Sequence, residues 1–169
     1  MSTRDRSTTL HAFLERYGGI YEHSPWIAEA VWNQGWNQDD TADLASAMRA
    51  SVEAAPRDLQ LALLSAHPDL AGRLAVGDLT RESSAEQKGA GLDQCTPEQF
   101  AEFTALNDRY KGRFGFPFIL AVKGHNRSSI LDIFRRRVEN DPDTEFREAL
   151  DQVHQIAAYR LQALAEETE

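Results

Sequence analysis

Apolar residues recur along this chain with the period of a helix. Leu10, Phe13, Leu14 and Tyr17 stand at i, i+3, i+4 and i+7, one face of a helix that Gly18-Gly19 stops. Ser24-Pro25 predicts an N-cap with proline at the first helical position, opening a helix from Trp26 to about Asn33. Asp40-Thr41-Ala42-Asp43 starts a third, with Leu44, Met48 and Val52 in one row. Pro56 opens a fourth. Leu59, Leu61, Leu63 and Leu64 make it apolar on nearly every side, so it is expected to lie centrally in the core. Ser83-Ser84-Ala85-Glu86 and Thr96-Pro97-Glu98-Gln99 both have capping-box spacing. The second launches a longer helix through Phe100, Phe103, Leu106 and Tyr110. Ser128 or Ser129 caps a segment holding Leu131, Phe134 and Val138. Asp141-Pro142 then breaks the chain. The last helix, from about Thr144 to Glu166, turns Phe146, Leu150, Val153, Ala157, Leu161 and Leu164 inward.

No stretch alternates with a period of two, and no Asn-Gly or Asp-Gly hairpin signal occurs. Phe114 to Val122 is ambiguous by periodicity, and is read as a turn leading into a short buried helix. No repeat and no Gly-, Ser- or Pro-rich linker divides the chain. The expectation is an all-α fold, a single compact multi-helix domain over residues 1–169 with about seven or eight helices.

Composition narrows the classes. Of 169 residues, 41% are apolar and 27% charged, near the globular average, which excludes a disordered chain, a fibre and a coiled-coil rod. The formal charge of −9 repels phosphate backbones and anionic lipid, so neither nucleic acid nor a membrane surface is an expected partner. Cys95 stands alone, so no intrachain disulfide forms and a reducing compartment fits. The basic residues near the start precede no apolar run, unlike a signal peptide. Phe116 to Val122 is too short to span a bilayer, and no peroxisomal tripeptide ends the chain. A cytoplasmic location is expected.

Candidate chemistry is sparse when read locally. His11, His23, His67, His125 and His154 form no i, i+3 or i, i+4 pairs, and neither Cys-x-x-Cys nor a phosphate loop occurs, so no metal is expected. Cys95 reads as an inert thiol at a helix start. His67 follows the apolar Leu59–Ala66 run and precedes Pro68, which disfavours helical geometry there. That holds an imidazole at the lip of the core on a stiff element. It suits either proton transfer or a helix-terminal cap. Ser83 to Gln87 offers hydroxyls, a carboxylate, an amide and helix-start N–H groups, for an anion or simply for capping. Arg160 is either a ligand or a solvated arginine. Phe114-Gly115-Phe116-Pro117-Phe118 suits a tight turn that brings backbone amides to a small ligand, or a turn that fills the core.

Three ordered motifs settle these alternatives by likeness. Ser65-Ala66-His67-Pro68-Asp69-Leu70-Ala71-Gly72 is followed by Ser83-x-x-Glu86-Gln87-x-x-Ala90-Gly91-Leu92-Asp93. Asn107-x-x-Tyr110-x-x-x-Phe114-Gly115-Phe116-Pro117-Phe118-Ile119 comes third. Together they resemble the 2-oxo-4-hydroxy-4-carboxy-5-ureidoimidazoline (OHCU) decarboxylase family. Tyr21, Ser24-Pro25-Trp26, Ile27-Ala28 and Ile156-x-x-x-Arg160-Leu161 extend the likeness over nearly the whole chain. The resemblance implies an all-α fold, a homodimer, no metal or organic cofactor, and decarboxylation of OHCU to (S)-allantoin in urate catabolism. It implies His67 as catalytic acid/base, with Glu86 either setting its tautomer or binding ureido N–H groups. Pro68, Ser83, Glu86, Gln87 and Arg160 would line the substrate pocket, with main-chain contacts from Ser84 and Ala85. Backbone groups of Phe118, Ile119, Leu120, Ala121 and Val122 would bind the ring. The ring itself accepts the electron pair left by CO₂, so no pyridoxal or thiamine sink is required. Segment 76–81, between two of the motifs, is expected to cover the site. Two other readings compete: a lyase or hydrolase acting on another ureido or imidazoline compound, and a non-catalytic helical interaction module.

Overall fold

The computed structural model describes residues 9–36, 41–70 and 81–167, with side chains for all of these except Thr41, Arg81, Glu82, Ser83, Ser84, Asp93 and Glu167. The regular structure among the described residues is all helical, with no strand. Eight α-helices run in order: α1 Leu10–Tyr17, α2 Trp26–Gln34, α3 Thr41–Ala54, α4 Arg57–Ser65, α5 Arg81–Gly89, α6 Pro97–Phe114, α7 Arg127–Arg137 and α8 Pro142–Glu167. A 3₁₀ turn, Leu92–Gln94, precedes α6. None of the described helices is long and apolar enough to cross a membrane. The chain divides into two compact units, Met1–Ala66 with His154–Glu169, and His67–Val153.

In the first unit, Thr9 caps α1 by accepting from the Ala12 N–H at 3.1 Å. Gly18 ends that helix by donating to the Leu14 carbonyl at 2.7 Å. A Cβ on Gly18 would lie 2.5 Å from that same oxygen, so close approach, not a left-handed turn, demands glycine here. Phe13 is buried and packs against Trp32 and Trp36. Leu44, Met48 and Val52 form the inner row of α3, as their spacing predicts. The Ser24 cap is a correction: its hydroxyl donates backward to the Glu22 carbonyl at 2.9 Å, and Pro25 takes helical dihedrals ahead of α2. α4 is a second correction. It buries Leu63 and Leu64 but leaves Leu59 and Leu61 each 40% exposed, so only its C-terminal end enters a core. Apolar composition alone does not say which side of a nine-residue helix is covered. His154 joins this unit internally, its Nδ1 bonded to the Tyr21 hydroxyl at 2.8 Å and its Nε2 to Glu53 at 3.0 Å.

The second unit is built on α6. Its capping box is as read: Thr96 accepts from the Gln99 N–H, and the Gln99 side chain accepts from the Thr96 N–H. Phe103, Leu106 and Tyr110 are buried along it, whereas Phe100, in the first turn, is exposed. Gly115 stops it with φ +82°, where a side chain would be strained. α7 is capped by Asn126, with Ser129 as its reciprocal partner at the third position, so the cap lies earlier than Ser128 or Ser129. Asp141 caps α8, and the Thr144 hydroxyl and N–H hold its carboxyl below the usual range. α5 begins at Arg81, which places Ser83 within its first turn and not at the cap position. The segment expected as a short buried helix is irregular instead: residues 117–122 are buried but carry neither helix nor strand. Phe118 stacks on Phe134 at 3.9 Å and meets Tyr110 edge-on, so the aromatic core fixes the segment without a backbone ladder.

Burial raises the hydroxyl pKa of both Tyr21 and Tyr110 well above its ordinary value. Glu53 adds to the effect on Tyr21, and the hydrogen bond to Glu145 adds to it on Tyr110. Their unfolded counterparts ionise near 10.0 while the folded ones stay neutral. Stability is therefore intact below that pH and falls above it, because only the unfolded chain releases these protons. Urea midpoints are expected to drop between about pH 9 and about pH 11. A Tyr21→Phe, Tyr110→Phe double variant should lose less over that range than the parent, and equal losses would refute the assignment.

Candidate active site

Pro68 forces the chain out of helical geometry, and His67 stands two residues beyond the last residue of α4. The imidazole residue is buried, 8% exposed. The strip that follows it is held by three side chains. Gln87 on α5 donates to the Asp69 carbonyl at 3.5 Å, and Asn107 on α6 donates to the Leu70 carbonyl at 3.0 Å. Lys111, one turn further along α6, pairs with the Asp69 carboxylate at 3.0 Å. These contacts fix the backbone two and three residues after His67.

The same helix reaches the Phe-Gly-Phe-Pro turn. Tyr110 lies three residues after Asn107 and so shares its side of α6. Its ring meets Phe116 and Phe118 at 5.8 and 5.4 Å. α6 thus holds the strip after His67 with two side chains, Asn107 and Lys111, and the entry to residues 117–122 with a third. Two further groups pin that irregular segment. Arg137 donates to the Ile119 carbonyl at 2.7 Å, and the Gln152 side-chain oxygen accepts from the Ala121 N–H at 2.9 Å. Arg137 is itself locked. It forks onto Glu145, which also accepts from the Tyr110 hydroxyl and the Asn140 amide, and its guanidinium lies 4.5 Å over the Phe118 ring.

Of the residues expected at the site, His67, Pro68, Ser83, Ser84, Ala85, Glu86, Gln87, Phe118, Ile119, Leu120, Ala121 and Val122 all belong to the second unit. Gln87 is buried, Glu86 and Pro68 are half-buried and Ala85 is exposed. The side chains of Ser83 and Ser84 lie outside the described residues, as does segment 76–81 except for the backbone of Arg81. Arg160 belongs to the first unit. It is buried, and donates to Glu22 at 2.9 Å and to the Gly19 and Ile20 carbonyls at 3.2 and 3.3 Å. The solvated alternative for Arg160 is therefore corrected: a buried carboxylate balances its charge and sets its fork. Glu22 went unnoticed in the sequence, although a lone acid between Tyr21 and Ser24-Pro25 was the available signal. Arg137, Glu145 and Gln152 went unnoticed too. Among the described residues no group of His, Cys, Asp or Glu is arranged to hold a metal ion.

A family model described as OHCU decarboxylase matches residues 6–162. A 2-oxo-4-hydroxy-4-carboxy-5-ureidoimidazoline decarboxylase of Haloferax volcanii is 47% identical over 151 residues, 89% of this chain and 87% of that protein. One from Mus musculus is 40% identical over 150 residues, 88% and 84% of the two chains. A crystal structure of (S)-allantoin synthase superposes with a TM-score of 0.73 at 34% identity. It covers 94% of this chain, which spans 51% of that one. A crystal structure of OHCU decarboxylase in the presence of (S)-allantoin superposes at 0.70 with 21% identity, a likeness of fold.

Proposed function

This chain belongs to the OHCU decarboxylase family, and from that premise we propose that it converts OHCU to (S)-allantoin and CO₂ with His67 as its acid/base. The electron pair of the broken C–CO₂ bond passes into the ring as an enolate. The 4-hydroxyl gives up one proton, the ring nitrogen that receives the electron pair takes one, and the carbon bearing the ureido group takes one on a single face, a net uptake of one proton by the carboxylate form. One imidazole can take the hydroxyl proton and return it to carbon, while the further proton comes from solvent. Gln87 and Glu86 hold the ureido and carboxylate groups, Pro68 and the main chain of Ser83, Ser84 and Ala85 border them, and main-chain groups of residues 118–122 hold the ring. A buried surround favours the loss of a carboxylate charge.

The observation that most directly supports His67 is its burial on a strip tied to Gln87, a second residue expected at the site. The family likeness supports a homodimer in the cytoplasm. The test couples the protein to urate oxidase and hydroxyisourate hydrolase and follows the circular dichroism of the allantoin formed. Fast growth of an (S)-allantoin signal is expected. Slow racemic product, the same as without the protein, would overturn the proposal and turn attention to other ureido substrates.

A further inference from the structure

Two buried side chains fix the peptide units on either side of Leu120. The C=O of one residue and the N–H of the next belong to one planar trans unit and point in opposite directions. The described peptide bonds are all trans. The Ile119 carbonyl points at Arg137, so the Leu120 N–H points away from Arg137. The Ala121 N–H points at Gln152, so the Leu120 carbonyl points away from Gln152. One residue in the middle of an irregular segment thereby has both its donor and its acceptor aimed by side chains behind them.

From this geometry we infer that Gln152 and Arg137 are positioning residues of the reaction, which align the Leu120 main chain to read the adjacent N–H and C=O of a cyclic ureide. The inference rests on the reading that residues 118–122 bind the ring. A helix would have used these groups in its own ladder, and no helix occupies 117–122. The anchors are rigid. Gln152 is itself fixed by donating to Glu148 at 3.0 Å. Arg137 is clamped by Glu145, both being almost wholly buried. Neither anchor touches the ring; they set the direction of the groups that do.

Gln152 gives the cleaner test, since Arg137 also carries a buried charge. Gln152→Leu removes the acceptor and frees the peptide unit. kcat/KM for OHCU is expected to fall about tenfold, the value of one well-aligned hydrogen bond, through KM and with the pH profile of kcat unchanged. The thermal midpoint should fall by a few degrees, since the buried Ala121 N–H loses its acceptor. The pair Gln152→Glu with Glu148→Gln keeps an acceptor on the Ala121 N–H and a donor toward it, and is expected to restore KM. A Gln152→Leu variant with parental KM and parental affinity for (S)-allantoin would overturn the inference and leave the proposed function standing. A parent protein that neither turns over OHCU nor binds (S)-allantoin would overturn both.

Discussion

Replacing His67 with alanine or glutamine is expected to remove catalysis while leaving the helical fold in place. General acid/base catalysis is worth roughly 10²- to 10⁴-fold, and in the proposed mechanism a single imidazole takes the hydroxyl proton and delivers one to carbon. A loss near the top of that range is therefore expected, leaving little above the spontaneous reaction. The fold should survive, because the His67 strip is held through the carbonyls of Asp69 and Leu70 and through the Asp69 carboxylate, not through the imidazole alone. The check is kcat from the coupled assay beside the far-ultraviolet circular dichroism of the variant. Glutamine matters as the second substitution, since it keeps a polar side chain but cannot shuttle a proton. A His67→Gln enzyme within a few-fold of the parent would refute the assigned role.

The largest effect on stability is expected at Arg137. Its side chain is 3% exposed and its partner Glu145 is 0% exposed. Arg137→Leu would leave a buried carboxylate with only the Tyr110 hydroxyl and the Asn140 amide to compensate it. It would also orphan the Ile119 carbonyl. Breaking a buried pair from one side costs about 3–5 kcal/mol, whereas replacing both partners with apolar groups often costs little. The urea midpoint of Arg137→Leu should therefore fall steeply, and adding Glu145→Leu should recover much of the loss. If the single and double variants were equally unstable, the cost would lie in packing against Phe118 and not in the stranded charge.

What was legible in the sequence was local. The Thr96–Gln99 box, the Gly115 stop and the Leu44, Met48, Val52 row depend on neighbours within two helical turns, and each stands where the spacing puts it. The end of α4 ahead of His67 was legible for the same reason, since Pro68 directly follows it. What failed depended on distant partners. Leu59 and Leu61 look like core residues until one knows what covers them. Arg137 is one of three successive arginines, and a carbonyl 18 residues away and a carboxylate 8 residues away distinguish it from its neighbours. Gln152 and Glu22 are likewise explained by groups 31 and 138 residues distant. Residues 117–122 defeated periodicity because an apolar run buried on all sides has no face to show.

That segment also limits how this chain can vary. A helix tolerates change because each residue repeats the hydrogen bond of the last, so a shift by one leaves the ladder whole. Residues 117–122 repeat nothing: the carbonyl of Ile119 and the N–H of Ala121 each have one dedicated partner. Inserting or deleting a single residue there would turn the wrong end of a peptide unit toward Arg137 and Gln152. Side chains along the stretch can be exchanged for others of similar bulk, since its hydrogen bonds run through the main chain. The two anchors therefore constrain the length of the stretch through Ile119 and Ala121 more tightly than the identity of the side chains that fill it.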